Sequence, residues 1–383
     1  MSYGRQSVTE LTNTGARIRT KPFKSVHQQN IDVALLLSNG PFLVWHLDWW
    51  LMVISLSQPD RMKTYISVLT FIILASFVAQ AQDFDYSFKE NYEVSVPAQL
   101  AIVCSDGNLD IIPSDGNKIQ VFYIVKKGNK LLKIDRRELE EEFTVAVVHT
   151  NSSVNISVRN KRVNQPFNFD LTTNVHFKVY VPKQTSCDLR TSDGNISLEG
   201  LTSHQSCKTS DGNLDIINVT GNVKGGTSDG NITLREINGL VDVGTSDGNI
   251  ELESIGGDVQ ASTSDGNIDL RKVKGDISVK TSDGYIGFKE ISGSFRATTS
   301  DGNIKGSVIE LKEELALKTS GGNIDVTIPN QLGLDLDIKG ESIDVPFKDF
   351  TGKFDDTSVR GKANGGGITV TLFASDGNVK LTY

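Results

Sequence analysis

Tryptophan and methionine are missing from most of this sequence. The three Trp and three Met all lie within the first 62 of 383 residues, at Trp45, Trp49, Trp50, Met1, Met52 and Met62. A change of composition this abrupt indicates a boundary near residue 62. Proline is also scarce, with 9 residues against 35 glycines, which is typical of many regular turns and not of a disordered linker.

The chain also lacks an excess of basic residues and, after residue 82, any long apolar run. A net charge of -8 and a pI of about 5.3 argue against a nucleic-acid or anionic-membrane partner, because both need basic patches. No segment after residue 82 is long and apolar enough to cross a bilayer. The mature chain is therefore predicted to have no integral membrane span.

A predicted secretory signal peptide explains the boundary. The segment MKTYISVLTFIILASFVAQAQ has a basic Lys63, an apolar run over 66–78 and a cleavage site between Ala81 and Gln82. Residues 62–81 are thus expected to be removed on export to the periplasm, the outer surface or the medium. Residues 1–61 are interpreted as a non-native upstream extension, with translation starting at Met62. The alternative is a genuine cytoplasmic extension with a further membrane segment over 33–56.

An 18-residue repeat fills the middle of the mature chain. The motif T-S-D-G, with Gly321 in place of Asp in the last copy, begins at Thr191, Thr209, Thr227, Thr245, Thr263, Thr281, Thr299 and Thr319. Each unit has two halves, and in 263–280 the stretch DGNIDL is echoed by KGDISV. Both halves are a turn followed by apolar–polar–apolar residues, the period of a strand with one buried face.

Aligned repeats place apolar residues in four columns. These are Ile196, Leu214, Ile232, Ile250, Ile268, Ile286, Ile304; Leu198, Ile216, Leu234, Leu252, Leu270, Phe288; Leu201, Val219, Ile237, Ile255, Val273, Ile291, Ile309; and Val223, Val241, Val259, Ile277, Phe295. One such unit cannot bury its apolar face alone, so the repeats are expected to stack. The predicted fold is all-β, a β-helix-like or β-roll-like solenoid with 18-residue coils. An antiparallel meander of hairpins is the rival.

Less regular, strand-rich segments flank the repeats. Residues 191–328 are predicted to form the eight-repeat solenoid, and 83–190 and 329–383 are predicted to be N-terminal and C-terminal β caps. Caps are needed because the open ends of a solenoid would otherwise pair with other chains. The charged segment 126–143 is compatible with a short helix.

The recurring TSDGNI segment is predicted to be the corner of each coil. Glycine would supply a positive φ there, and Asp and Asn would bond the turn backbone. The corner glycines are Gly194, Gly212, Gly230, Gly248, Gly266, Gly284 and Gly302.

The aspartates of the same corners form the one candidate metal site, a column of Asp193, Asp211, Asp229, Asp247, Asp265, Asp283 and Asp301. Carboxylates stacked about 4.8 Å apart repel by roughly 1 kcal/mol per pair in water, and Ca²⁺ between them would relieve this. The glycine pairs of secreted RTX calcium repeats are missing, and Ile268 stands where that pattern needs Asp. The preferred interpretation is that each Asp caps its turn and that no cofactor is required; a calcium-binding repeat protein is the alternative.

Residues for catalysis are scarce. Three histidines follow residue 82: His149, His176 and His204. Their spacing matches neither a metal-binding motif nor a catalytic triad. The coils lack the long insertions that build a cleft, so the protein is predicted not to be an enzyme; a polysaccharide-active β-helix enzyme is the alternative. Ice binding is disfavoured because it requires an outward, uncharged T-x-T face.

The three cysteines, Cys104, Cys187 and Cys207, are expected to be small core residues. Cys187 and Cys207 fall on adjacent coils but are offset by two residues, which is beyond easy disulfide geometry. Cys104 occupies a Thr-like position in an SDGN segment. An odd number of cysteines also leaves at least one unpaired.

Three stretches carry a family resemblance. NVHFKVYVPKQTSCDLRTSDGNISLEGL, the train of SDGNI units and the terminal GGGITVTLFASDGNVKLTY resemble the bacterial putative-adhesin domain family of β-strand repeats, whose molecular function is unknown. The resemblance covers most of 83–383 and implies an extracytoplasmic β-solenoid with no catalytic residues to transfer. The expected function is an exported, non-enzymatic adhesin or envelope module whose partner is an extracellular or envelope glycan or protein.

Overall fold

Parallel strand pairs offset by one repeat organise the fold. In the computed structural model, which describes residues 84–161 and 173–383, Ile196 pairs with Leu214, Leu214 with Ile232, and Ile232 with Ile250. The all-β prediction is confirmed, and the described sheet is solenoid-like. The meander alternative is wrong for the repeats, because their strands pair in parallel. The predicted extension 1–61, signal peptide 62–81 and cleavage site at Ala81 and Gln82 lie outside the described residues.

The described part of the chain contains one short helix, α1 (Arg136–Glu142), and 27 strands. The strands are β1 (Phe88–Glu93), β2 (Ala98–Val103), β3 (Leu109–Ser114), β4 (Lys118–Lys127), β5 (Lys130–Leu131), β6 (Phe143–His149), β7 (Ser153–Asn160), β8 (Thr173–Pro182), β9 (Thr185–Arg190), β10 (Ile196–Glu199), β11 (Gln205–Lys208), β12 (Leu214–Thr220), β13 (Val223–Gly226), β14 (Ile232–Asn238), β15 (Val241–Gly244), β16 (Ile250–Gly256), β17 (Val259–Ser262), β18 (Ile268–Lys280), β19 (Ile286–Thr298), β20 (Ile304–Thr319), β21 (Ile324–Thr327), β22 (Leu334–Lys339), β23 (Ile343–Asp344), β24 (Phe350–Asp355), β25 (Ser358–Ala363), β26 (Ile368–Ala374) and β27 (Val379–Thr382).

The strands form two ladders that share the long strands β18, β19 and β20. The first ladder runs β6–β7–β2–β9–β11–β13–β15–β17–β18–β19–β20–β26–β22–β25–β24. The second runs β1–β4–β8–β3–β10–β12–β14–β16–β18–β19–β20–β21–β27–β23. Their inward side chains form one continuous hydrophobic cluster.

Antiparallel strands close most ends of the two ladders. Strand β6 pairs antiparallel with β7, β4 with β8, and β25 with both β22 and β24. The N-terminal strands also hold α1, which lies in the charged segment. Its capping box joins the Asp135 carboxylate to the Glu138 N–H at 3.0 Å, and the Arg136 guanidinium donates to Glu90 of β1 at 2.9 Å.

The four predicted apolar columns point into the core, with one exception. Ile309 was predicted to end the third column, but its side chain is 60% exposed, and Val308 is buried in its place. The seventh repeat, which begins at Thr299, contains two extra residues, which shift the register so that Ile291 pairs with Val308 and Phe295 with Leu315. A bulge absorbs the insertion and turns Ile309 outward.

One position in each of five successive coils has a left-handed backbone without being glycine. The φ angle of this position is positive once in every 18 residues. The series begins at Gly200 (67°) and continues at Asn218 (54°), Glu236 (58°), Ser254 (59°), Lys272 (54°) and Glu290 (60°). A side chain with a Cβ is strained in this region, Asn least so. These residues therefore store strain at the bend between the halves of each coil.

Replacing Lys272 with glycine is expected to stabilise the protein. Relief of left-handed strain contributes about 1–2 kcal/mol, and the greater chain entropy of glycine offsets about 0.5–1 kcal/mol. We expect a net gain of about 0.5–1 kcal/mol in urea unfolding. The control Lys274→Gly, at an exposed position of β18 without a positive φ, should instead lose stability. Equal effects of the two substitutions would contradict this account.

Candidate functional site

Threonine hydroxyls join each corner to the preceding one. The Thr245 hydroxyl donates to the carbonyls of Ser228 and Gly230, both at 3.0 Å, and accepts the Gly248 N–H at 3.3 Å. The same donor contacts recur at every predicted repeat, beginning with Thr191 on the SDGN segment at 105–108. The threonine side chains therefore point inward because each hydroxyl forms hydrogen bonds with backbone groups of its own coil and of the coil before it.

The corner glycines are required for close packing and not for a positive φ. None of Gly194, Gly212, Gly230, Gly248, Gly266, Gly284 and Gly302 has the positive φ predicted for them. A Cβ on any of them would lie 1.9 Å from a backbone carbonyl oxygen of the preceding corner. The positive φ predicted for these glycines was wrong, and the approach of the preceding corner is the reason that glycine is needed there.

Asparagine and threonine bond the corner, whereas aspartate does not. The Asn231 side-chain oxygen accepts the Asn249 N–H at 2.8 Å, and the same bond links most successive asparagines. The predicted cap by Asp265 and its equivalents was wrong, because no hydrogen bond reaches these carboxylates among the described residues. Only the Asp backbone N–H takes part, as between Asp265 and the Ser246 carbonyl at 3.0 Å.

The seven corner aspartates therefore stand exposed in a column. They are Asp193, Asp211, Asp229, Asp247, Asp265, Asp283 and Asp301, each beside a corner serine whose hydroxyl has no partner in the described chain. At the first corner, burial and the neighbouring charge of Asp193 raise the pKa of Asp106. Within 84–161 and 173–383, no three His, Cys, Asp or Glu side chains cluster to hold a metal ion.

A groove crosses the outer face of the first ladder, where the repeats meet the N-terminal strands. Its cavity of about 630 Å³ adjoins a second of about 390 Å³, and both are lined by Gln99, Ser186 and His204. Outward side chains of β2, β7, β9, β11, β13 and β15 form the floor. At about 4.8 Å per strand, this floor extends about 24 Å across the ladder.

Uncharged polar groups line much of this groove. The side chains of Gln99, Asn155 and Ser206 make no hydrogen bond within the described residues. At the rim, the His204 Nδ1 accepts the Asn222 N–H at 3.2 Å, which leaves the Nε2–H of the neutral ring as a free donor. Leu240 adds an apolar rim that is 47% exposed.

The charged side chains beside the groove are paired with one another. Arg190 bonds Asp188 at 3.0 Å, and Lys224 contacts Asp242 at 3.5 Å. Each pair contributes no net charge. The groove is therefore electrically balanced, although the whole chain carries a formal charge of -8.

A family model decides the relationship. The model of the Toastrack DUF4097 family matches residues 98–289 and 277–382, which together include the first ladder and every strand of the second ladder except β1. The chain belongs to the Toastrack DUF4097 family. The resemblance to a family of β-strand repeats with unknown molecular function is thereby confirmed. No curated protein matches the Toastrack chain.

Three bacterial proteins of known structure are among those similar to the Toastrack chain. One, a putative adhesin from Bacteroides fragilis NCTC 9343, has 17% identity, a TM-score of 0.35 and coverage of 62% of this chain and 96% of its own. Another, a putative lipid binding protein from Parabacteroides distasonis ATCC 8503, has 14% identity, a TM-score of 0.32 and coverage of 76% and 96%. A putative cell adhesion protein from Clostridium sporogenes ATCC 15579 has 12% identity, a TM-score of 0.19 and coverage of 77% and 98%.

The three histidines of the Toastrack region lie apart and bond backbone groups. The His149 Nε2 lies 2.8 Å from the Glu93 carbonyl oxygen, and the His176 Nδ1 accepts the Asn108 N–H at 3.0 Å. His176 thus takes the place of an asparagine in the corner ladder, as His204 does at the groove rim. The sequence analysis missed both roles, although His204 precedes Asn222 by one repeat and could have been aligned with it.

Acidification is expected to weaken the fold through His176. Burial, and secondarily the charge of Lys126, lower the pKa of His176 from its ordinary 6.5, so the neutral ring is the form that the fold favours. This stability is complete above pH 6.5 and is lost as the pH falls towards the folded-state pKa. The urea midpoint should fall less between about pH 7.5 and 5.5 in His176→Asn than in the wild type, because an amide oxygen accepts the Asn108 N–H at either pH. An unchanged pH dependence in His176→Asn would contradict this role.

The cysteines are buried and unpaired. Cys104, Cys187 and Cys207 all belong to the core cluster, and strand register places Cys187 opposite Gln205 and Cys207 opposite Leu189. Burial raises the pKa of Cys207 to about 12 and that of Cys187 well above its usual value. The two-residue offset was correctly predicted, and both thiols are protonated members of the core.

No helix within the described ranges has the length and apolar character needed to cross a bilayer.

Proposed function

We propose that the chain is an exported, non-enzymatic β-solenoid with 18-residue coils that acts as a binding or structural module of the cell envelope. The carrying observation is the row of corners, in which exposed aspartates and the serines beside them recur at a fixed interval without a side-chain partner among the described residues. Such a row offers many equivalent weak contacts on one rigid body. Multivalent attachment gains affinity from this arrangement without any single strong site.

The packing of the corners supports a scaffold. Hydrogen bonds from threonine and asparagine side chains hold each corner to the coil before it. The glycines let the two backbones pack in direct contact. The side chains that remain free are therefore held at constant spacing. This rigidity lowers the entropy lost when several of them bind one partner together.

Location and attachment test the proposed function. The whole gene should be expressed with its own upstream sequence, so that translation can start at Met1 or at Met62, and the cells fractionated, treated externally with protease and assayed for adhesion. We expect a mature N-terminus at Gln82, protease-accessible protein and adhesion that is lost on its removal. The control Ile73→Arg, within the apolar run of the signal, should retain the protein inside. A peptide containing Trp45 in the mature protein would contradict the proposed start, and a cytoplasmic location would contradict export.

We also propose that the corners need no bound cation. The aspartates are exposed, so water and salt screen their mutual repulsion of roughly 1 kcal/mol per pair. The Tm of the full chain should be the same with Ca²⁺ and with EDTA by calorimetry. A Tm rise with Ca²⁺ that is lost in Asp247→Asn and kept in Asp242→Asn would establish a calcium-binding column instead.

A further inference from the structure

The groove has the dimensions of a ligand site and differs from the regular surface beside it. Its volume of about 630 Å³ lies within the usual range for small-molecule pockets. Ser203 occupies the corner position at which the following coils have Gly221 and Gly239, whose missing side chains allow close stacking. The column of glycines begins at Gly221, which lines the adjoining cavity, so the departure from the repeat at Ser203 lies within the groove.

The free polar groups of the groove are donors and acceptors without charge. Gln99 and Asn155 each offer an amide, Ser206 a hydroxyl and His204 a ring N–H. The adjoining cavity adds hydroxyls from Ser203 and Thr220. A ligand with many hydroxyl groups satisfies such a surface, because each hydroxyl both donates and accepts.

Electrostatics argue for a neutral ligand. The acids Asp188 and Asp242 are each bonded to a cation, Arg190 and Lys224, so the groove has no unpaired charge for an ionic ligand to neutralise. An anionic chain would also approach a protein whose formal net charge is -8. The exposed side chain of Leu240 gives the C–H face of a ring an apolar contact.

We propose that this groove binds a neutral oligosaccharide in extended form, lying across the strands from β7 to β15. This proposal rests on the proposed binding function and adds to it a site, separate from the row of corners, with its own ligand class. Sugar units of an extended chain advance by a distance comparable to the strand spacing, so successive units meet equivalent positions on successive strands. The amide and hydroxyl groups bond the ring hydroxyls, and Leu240 contacts a ring face.

The test is calorimetric titration of the full chain with cellohexaose, mannohexaose, chitohexaose and, as the anionic comparison, hexagalacturonate. We expect one neutral hexasaccharide or more to bind and hexagalacturonate to bind at least tenfold more weakly. Ser206→Trp, which fills the groove, should weaken binding at least tenfold. Ser278→Trp is the matched control, since Ser278 is exposed in the same outward column of the first ladder beyond the groove, and it should change binding less than twofold.

A second pair guards against misfolding. If Ser206→Trp has a lowered Tm, the double variant Gln99→Ala/Asn155→Ala is used to test binding instead, and Gln260→Ala is its control. These side chains are exposed, so their loss should not disturb the fold. Absence of binding by all three neutral hexasaccharides, preference for hexagalacturonate, or binding that both groove variants retain would each overturn the proposal. Cell attachment that persists in these variants would leave the proposed function standing, so the two failures are distinguishable.

Discussion

Replacing Gly248 with alanine is expected to lower the stability of the protein by about 3 kcal/mol, which for a chain of this size is a fall in Tm of roughly 4–5 °C. The new Cβ would lie 1.9 Å from the Gly230 carbonyl oxygen, where ordinary contact begins at about 3.4 Å. The atom it meets is backbone, so no side chain can rotate away. Relief requires the two coils to separate, which weakens the Thr245 bonds to Ser228 and Gly230 as well.

The matched control is Gly256→Ala in the same repeat. Its Cβ would have nothing closer than the Asn238 amide oxygen at 3.6 Å, and its φ is not positive. Alanine there should leave stability unchanged or raise it slightly, because the unfolded chain loses entropy. Thermal and urea unfolding of both variants provide the measurement. Comparable losses at the two positions would show that glycine is needed for a reason other than the approach of stacked corners.

Corner stacking also explains what the sequence could and could not predict. The inward columns followed from an 18-residue period and the alternation of strands, since both are properties of single positions in a repeat. The reason for glycine did not follow, because the carbonyl that excludes a Cβ belongs to another coil, 18 residues away. Local turn rules explain such a glycine by a positive φ. Here the close contact between two stacked coils of the same chain is the reason for it.

The misassigned aspartate has a related cause. Asp and Asn are both common in turns, so the motif alone does not tell which side chain bonds the backbone. In the stacked corners the Thr hydroxyl donates to two carbonyls and accepts a Gly N–H, and the Asn side-chain oxygen accepts an Asn N–H, whereas the Asp carboxylate has no hydrogen bond within the described part of the chain. Ile309 was misplaced for a different reason: an insertion of two residues breaks the phase, and the sequence does not show where the bulge absorbs it.

The groove was beyond prediction because it is made by strands distant in the sequence. Asn155 of β7 and Gln99 of β2 line the same groove as Ser206 of β11 because β7 pairs with β2, and β2 pairs with β9, the neighbour of β11. Neither pairing is part of the repeat. What the sequence does show is the irregularity at Ser203 and His204, one repeat before Gly221 and Asn222, and a departure from a strict period is a useful pointer to a site on an otherwise uniform surface.

Replacing Thr281 with valine is expected to cost about 1–3 kcal/mol without changing the shape of the corner. The Thr281 hydroxyl is buried, donates to the Ser264 carbonyl at 3.0 Å and the Gly266 carbonyl at 2.9 Å, and accepts the Gly284 N–H at 3.3 Å. Valine has a similar volume, so the loss measures the missing bonds to backbone groups of two coils. Chemical unfolding of the full chain gives the free-energy difference.

Thr233→Val is the control for the same chemical change, because Thr233 lies on the outward face of β14 and its hydroxyl has no bond among the described residues. It should alter stability by less than about 0.5 kcal/mol. Thr281→Ser, which keeps the hydroxyl and loses only a methyl group, should fall between the two. If Thr281→Val were as stable as Thr233→Val, the threonine column would be a matter of packing alone. A loss confined to position 281 would instead show that the threonine of TSDG, and not its aspartate, ties each coil to the coil before it.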